Sequence, residues 1–250
     1  MSNMPYYFAY ENRYQKVYEA GAEYWGHSPD DYVLASTLRK WIEDNKLQGK
    51  KVIEFACGEG ASGVILSKFG CIYHGFDIAP SAIEKTKTAL KDFPSATVTQ
   101  LDMVNQRTDE IYDAALDVMG FHMLVTDSDR NNYLLNAFSS LNPGAPMLFF
   151  RESYSTNAYE GSVGSFDDWK VISSSDYDTP EKRTAKCGKK EVEVYIPLVP
   201  ARANNKQGYM YEMQKAGFVV DDFIEMDINM QCPYSASIFV HKPSESEELK

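Results

Sequence analysis

Apolar positions along the chain fall into short buried-looking runs, each followed by a stretch with helical spacing. Residues 52–55 (VIEF) run into ACGEGASG, and Ala61, Val64, Ile65 and Phe69 then recur at helical intervals before Gly70. This predicts a strand, a tight glycine turn and a helix. The rhythm repeats: CIYHGFD (71–77) reads as a second strand, and Pro80 opens a helix through Ile83, Thr86, Lys87 and Leu90. TVTQLD (97–102) and YDAALDVMGF (112–121) read as strands three and four. Ser128 is the expected N-cap of a helix through Tyr133, Leu134, Ala137, Phe138 and Leu141, stopped by Asn142-Pro143-Gly144. MLFFRES (147–153) is the fifth strand. Strands alternating with helices predict an α/β fold with right-handed crossovers and a parallel sheet covered on both faces.

Two regions break the rhythm. Residues 1–48 precede the sheet and are crowded with Tyr6, Tyr7, Phe8, Tyr10, Tyr14, Tyr18, Tyr24, Trp25 and Tyr32. Residues 155–208 begin with loop-like STNAYEGSVGSFDDW and contain EVEVYIPLV (191–199), whose alternation predicts an extra antiparallel strand. Both are expected to cover the ligand edge of the sheet. A helix ending at Gly217 and strands at 218–227 and 235–242 complete the main domain, 49–243. The polar tail, 244–250, is expected to be disordered.

Composition narrows the function. A chain of 250 residues suits one sizeable core with insertions. Lys+Arg 25 against Asp+Glu 36, a formal charge of -11, opposes the phosphate contacts that dominate nucleic-acid binding. No nucleic-acid partner is expected. Cys57, Cys71, Cys187 and Cys232 lack CxxC spacing, and the N-terminal residues lack the signature of a secretory signal. Free thiols in a cytoplasmic setting are expected. No apolar run reaches the roughly 20 residues a membrane helix needs, so no membrane partner is expected either. His27, His74 and His241 make no metal-ligand cluster with the cysteines, and no metal is predicted.

Open α/β sheets bind ligands beyond the carboxyl ends of their strands. Three of the first four strand ends carry acids: Glu54 in the glycine turn, Asp77 after strand two and Asp102 after strand three. Any one of them alone could be a helix cap or a solvated loop carboxylate. Together with a glycine turn they point to a nucleotide-type ligand.

At these residues the sequence resembles the class I S-adenosylmethionine (SAM) dependent methyltransferases, most clearly over residues 50–153. VIEFACGEG looks like the family's first motif, an acid followed by a turn that holds the methionine part of SAM. This implies cofactor roles for Glu54, Ala56, Gly58 and Gly60. Ala56 stands where the family has its first glycine, a small-for-small exchange. GFDIAPSAIEKTK looks like the second motif, in which Asp77 would take both ribose hydroxyls beside Ile78. LDM resembles the third, in which Asp102 would meet the adenine amino group and Met103 pack on the ring. YDAALDVMGFHML matches the fourth strand, with Met119 on the cofactor side. RYQKVYEAG followed by YWG looks like a lid helix, which would bring Arg13, Tyr14, Tyr18 and Trp25 to the cofactor. The commoner fate of such an aromatic stripe is docking on the core. The resemblance implies a Rossmann-like seven-stranded, mostly parallel sheet, a helical N-terminal lid and a substrate-covering insertion after strand five.

A dinucleotide-binding dehydrogenase shares a glycine loop with a later acid, but Glu54 inside the turn region and the final strand pair favour SAM. A propylamine transferase would share the fold, and its glycine-aspartate-glycine signature is missing. Methyl transfer depends mainly on orienting the acceptor, with a base required only when the acceptor arrives protonated. His122, just past strand four, is the candidate base, with Tyr14 a second catalytic candidate and Arg151 and Tyr154 expected beside the acceptor. Packing or helix capping is the bland role for His122. The reading is a monomeric or homodimeric enzyme that methylates N, O or S of a small molecule. A protein or RNA methyltransferase and a non-catalytic SAM-binding subunit are the alternatives.

Overall fold

The computed structural model of the protein describes residues 4–22, 24–187, 190–229 and 232–248. The first five strands are β1 (Lys51–Phe55), β2 (Ile72–Asp77), β3 (Ala96–Gln100), β4 (Ala114–Val118) and β5 (Pro146–Ser153). They pair in parallel. A separate hairpin of β6 (Pro180–Cys187) and β7 (Lys190–Pro197) comes next, and the main sheet closes with β8 (Val219–Glu225) and β9 (Ser235–His241). The main-sheet order is β3-β2-β1-β4-β5-β9-β8, with β9 antiparallel to both neighbours. This is the Rossmann-like, mostly parallel seven-stranded sheet expected from the sequence.

Burial tracks position in the sheet. The central strands β1, β4 and β5 are buried on both faces, so they read as continuous apolar runs, whereas the edge strands β3 and β8 are largely exposed and polar. Alternation then sorts side chains between two cores. Ile53, Phe55, Ala115, Met147 and Phe149 face α5 (Asp127–Ser139) and α7 (Lys206–Lys215). Val52, Ala114, Leu116, Leu148 and Phe150 face α2 (Tyr32–Asp44) and α3 (Ala61–Lys68). Glu54 shares the α3 face with Val52, and Asp117 shares the α5 face with Ala115.

A bulge in β5 breaks this alternation at the ligand edge. Phe149 pairs with Ile238 but Glu152 pairs with Ala236, so β5 carries an extra residue there, and Arg151 adopts φ +59°. The extra residue re-aims the side chains at the end of the strand. Arg151 turns toward the α2 side, and Glu152 turns toward Asp117 on the α5 side.

Several local expectations need correction. Helix α5 is capped by Thr126 rather than Ser128: the extended backbone of Thr126 sets its hydroxyl 3.2 Å from the Asp129 amide, while Ser128 lies inside the first turn. The segment read as a loop contains α6 (Phe166–Ser173), capped by Ser165 and fixed by the buried Trp169. Within the tail expected to be disordered, Glu245–Glu248 form α8, where the Glu247 carboxylate accepts the Ser244 amide at 2.8 Å and its hydroxyl at 2.7 Å, and residues 249 and 250 lie outside the described residues. The N-terminal region divides in two: α1 (Ala9–Glu19) lies over the ligand edge near α4 (Pro80–Ala89) and β7, whereas α2 belongs to the core beside α3. Among the described residues no helix is long and apolar enough to cross a membrane.

Candidate active site

The turn after β1 is held open by backbone conformation. Ala56, Gly58 and Gly60 all have positive φ, at +52°, +53° and +81°. A Cβ on Gly60 would lie 2.8 Å from Thr86 Cγ2, so only glycine fits there. Ala56 is an L-residue in the left-handed region, a strained setting the sequence did not reveal. Its Cβ packs over Gly120, where an added Cβ would come within 2.6 Å. The small residue at 120 thereby accommodates the methyl group that replaces a glycine at 56.

Asp77, the last residue of β2, sits across this turn. Its carboxylate accepts the Gly58 amide at 2.9 Å and the Ala79 amide at 2.8 Å. Burial pushes its pKa up to about 6, against the lowering effect of those amides. Asp102 lies just past β3 and accepts Tyr7 Oη at 3.0 Å and Asn105 Nδ2 at 2.9 Å. Glu54 differs from its expected place in the turn. It lies within β1, is 1% exposed, and accepts the hydroxyls of Ser62 and Tyr73. Burial pushes its pKa up to about 8.

Two adjoining cavities lie along this edge. The first is narrow and is walled by Ile78, Leu101, Met103, Val104 and Leu124, with Asp77 and Asp102 at its margin. The second, about 1230 Å³ and open to solvent, is bordered by the glycine turn, Met119, His122 and Trp25. Tyr10, Tyr14, Ala56 and Met123 border both. Arg183 of β6 and Leu198, Val199 and Ala201 after β7 close the far side of the second, so the insertion does reach the ligand edge.

The N-terminal segment is fastened to this edge mainly by carboxylates that sequence reasoning overlooked. Glu59, 5% exposed, accepts Tyr18 Oη at 2.9 Å, the Trp25 amide at 3.0 Å and the Gly26 amide at 2.7 Å. Glu11 of α1, 4% exposed, accepts the Ser81 amide at 2.9 Å and its hydroxyl at 2.7 Å, capping the first turn of α4. Tyr18 therefore fastens the lid and borders neither cavity. Tyr14 is half-buried with its hydroxyl beside Gly58, and desolvation holds its pKa well above the ordinary phenol value. Arg13 lies 5.0 Å over the Trp25 ring at the cleft wall, its Nε without a partner among the described residues.

His122 comes after β4 in a single turn of 3-10 helix. Both its backbone amide and its Nδ1 contact Glu152 Oε2, at 2.7 and 2.9 Å, and burial lowers its pKa to about 4. Arg151 does not reach the cleft. It is fully buried behind it, 2.9 Å from Asp31 and 3.2 Å from His27, and His27 in turn contacts Met119 Sδ at 3.1 Å. Tyr154 is also displaced from its expected place: its ring packs on Phe223 and its hydroxyl bonds Glu225 of β8, outside both cavities. The bulge at Arg151 causes both differences, because it rotates the end of β5 away from simple alternation. Among the described residues no cluster of His, Cys, Asp and Glu is placed to hold a metal ion.

The strand order, the glycine turn after β1 and the acids at the ends of β2 and β3 are those of the class I SAM-dependent methyltransferase fold. Residues 52–144 match the sequence model of a methyltransferase domain family. No curated protein matches the chain. Solved structures share the fold at low identity. A SAM-dependent methyltransferase from Clostridium acetobutylicum ATCC 824 is 12% identical, with 95% of this chain and 99% of that one covered at a TM-score of 0.61. CalS10, an amino pentose methyltransferase from Micromonospora echinaspora involved in calicheamicin biosynthesis, is 14% identical, covering 92% and 96% at 0.61. The glycopeptide N-methyltransferase MtfA, complexed with sinefungin, is 15% identical, covering 89% and 100% at 0.58.

Proposed function

We propose that the enzyme methylates N, O or S of a small molecule held in the second cavity, with SAM lying along the first and its methyl group near their junction. The observation that carries this reading is the pair of adjoining cavities, one apolar and flanked by two carboxylates, the other walled by the lid and the insertion. A cleft bordered by two covering segments suits a small acceptor better than a macromolecular surface. The amino pentose and glycopeptide acceptors named for two structural neighbours are compatible with it.

SAM supplies a methyl group already activated by a positive sulfur. The protein's part is to hold and orient. In this reading the positive-φ turn at Ala56, Gly58 and Gly60 lets the methionine part approach the backbone, with Tyr14 above it. Asp77 accepts the ribose hydroxyls beside Ile78. Met103 packs on the adenine, and Asp102 receives its amino group while keeping Tyr7. Glu54 supports the turn from within β1, Tyr18 acts through Glu59, and Trp25 and Met119 border the methyl region. His122 takes the acceptor's proton, Tyr14 positions the reactants, and Arg151 fixes the His27 wall from behind. The free thiols Cys57, Cys71 and Cys232 support a reducing, cytoplasmic setting.

A mass-spectrometric screen of metabolite pools incubated with the protein and SAM tests this directly. A gain of one methyl group on a small molecule is the expected result. Methylation confined to protein or RNA fractions, or SAM binding with no methyl release to any fraction, would replace this reading with one of its alternatives.

A further inference from the structure

The buried polar groups behind His122 form a connected set that binding SAM does not require. Glu152 is fully buried, and its Oε2 accepts the His122 amide at 2.7 Å and lies 2.9 Å from His122 Nδ1. With Nδ1 held at Glu152, Nε2 is the ring nitrogen left toward the cleft that His122 borders. Glu152 Oε1 has no donor among the described side chains and backbone groups. The group facing it is the carboxyl of Asp117, itself fully buried. Two acceptors in contact inside an apolar core are satisfied only if one of them carries a proton. Asp117 is already served on its other sides by the Gly120 amide at 2.7 Å and the Tyr133 hydroxyl. The nearest cation, Arg130, is paired with Glu212 and hydrogen-bonded to the Phe121 and Leu124 carbonyls, so it does not neutralise the pair. Tyr209 of α7, Tyr133 of α5, Tyr10 of α1 and Glu54 of β1 are the other titratable neighbours, and burial raises the pKa of each and so favours its protonated form.

We propose that Glu152 and Asp117 share a single proton and act as positioning residues for His122, fixing its Nδ1–H tautomer so that Nε2 is the proton acceptor of the methyl-transfer step. The acceptor's lone pair forms the new bond to the methyl carbon while the sulfur–methyl bond breaks with its electron pair left on sulfur. The acceptor's proton passes to His122 Nε2. The imidazolium so formed lies against Glu152, and the negative charge of the Glu152–Asp117 pair offsets the burial that otherwise disfavours it. The role in turnover rests on the methyltransferase reading above, but the tautomer and the shared proton do not.

Nitrogen-15 NMR of the imidazole rings in the full chain without ligand tests the proposal, with the His122 signals assigned from a His122→Asn spectrum. The expected result for the unaltered protein is a neutral His122 protonated at Nδ1 and bare at Nε2. An Nε2–H tautomer overturns the proposal and needs no variant that could misfold. Glu152→Gln, which keeps an acceptor opposite Nδ1, should retain the tautomer, and Glu152→Leu should lose it. Asp117→Asn leaves Glu152 unable to share a proton, so it ionises more readily, and the titration midpoint of His122 should rise by about one pH unit or more, a tenfold change in proton affinity. An unchanged or lower midpoint overturns the shared proton. A chain with the predicted tautomer that fails to bind SAM would sink the methyltransferase reading alone. A chain that binds SAM with His122 protonated at Nε2 would sink this inference alone.

Discussion

Replacing Glu59 by Gln should loosen the N-terminal segment without unfolding the sheet. The carboxylate gathers three donors from that segment, Tyr18 Oη, the Trp25 amide and the Gly26 amide, the shortest at 2.7 Å. A carboxamide keeps one oxygen, and its NH₂ group faces backbone N–H donors it cannot accept from. At least one charge-assisted hydrogen bond is lost and one buried donor is left unsatisfied, together about 2–3 kcal/mol against the docked lid. The ratio of open to docked segment then rises about 30- to 150-fold. If docking is favoured by about 1.5 kcal/mol in the unaltered protein, a 30-fold shift leaves roughly a third of chains docked and weakens SAM affinity about threefold, with larger shifts weakening it further. Hydrogen exchange should accelerate at the amides of 25 and 26 and along α1, while β1, β4 and β5 keep their protection. Calorimetric titration with SAM supplies the affinity. Unchanged exchange at residues 25 and 26 with unchanged affinity would refute the idea that Glu59 holds the lid.

Two further outcomes are expected. Gly120→Ala should lower the unfolding midpoint by an amount equivalent to about 1–3 kcal/mol, because its new Cβ meets Ala56 Cβ at 2.6 Å. Ala56→Gly relieves left-handed strain and opens that space but not the approach to the Asp117 carboxylate at 2.9 Å, so adding it should restore part of the loss, and strict additivity in a double-mutant melting series would contradict the packing account. SAM affinity should also fall as pH drops through about 6, since Asp77 has its pKa raised to about 6 by burial and ribose hydroxyls hydrogen-bond only its ionised form well. Binding near pH 5.5 should then release a proton, visible as a buffer-dependent calorimetric heat. In the free protein the same raised pKa works against stability: the unfolded Asp ionises first as pH rises, so its contribution favours the folded state below the unfolded pKa and is lost up to about 6. A flat affinity between pH 5 and 7 would show that Asp77 does not titrate against the ligand.

The parts of this structure legible in the sequence are those set by local pattern. β1, β4 and β5 announced themselves as apolar runs because both their faces are buried, and Pro80 and the Gly217 stop marked helix ends through backbone chemistry alone. Asp77 was found because it closes a strand beside a glycine turn. Residues whose roles depend on distant partners were not legible. Glu59 and Glu11 look like ordinary surface acids until the chain brings the donors of residues 18–26 and 81 to them. The β5 bulge, which sends Arg151 behind His27 and Glu152 toward His122, leaves no trace in the alternation of MLFFRES. Tyr154 illustrates the cost: counted from an unbroken strand it belongs at the acceptor, and the bulge carries it to β8. The choice of Thr126 over Ser128 as a cap turned on one residue's extended backbone, which composition cannot distinguish.

The most direct test of the cofactor site is the affinity of SAM for the unaltered protein and for Asp77→Ala, measured by calorimetry at pH 7.5. Asp77 is the carboxylate that fixes the glycine turn through Gly58 and faces the first cavity, so its loss removes charge-assisted acceptors for the ribose along with that backbone tie. The expected result is SAM binding by the unaltered protein and a loss of at least about tenfold in the variant, from roughly 1.5–3 kcal/mol of hydrogen bonding. Equal affinity in the two proteins, or preferential binding of NAD, would contradict it.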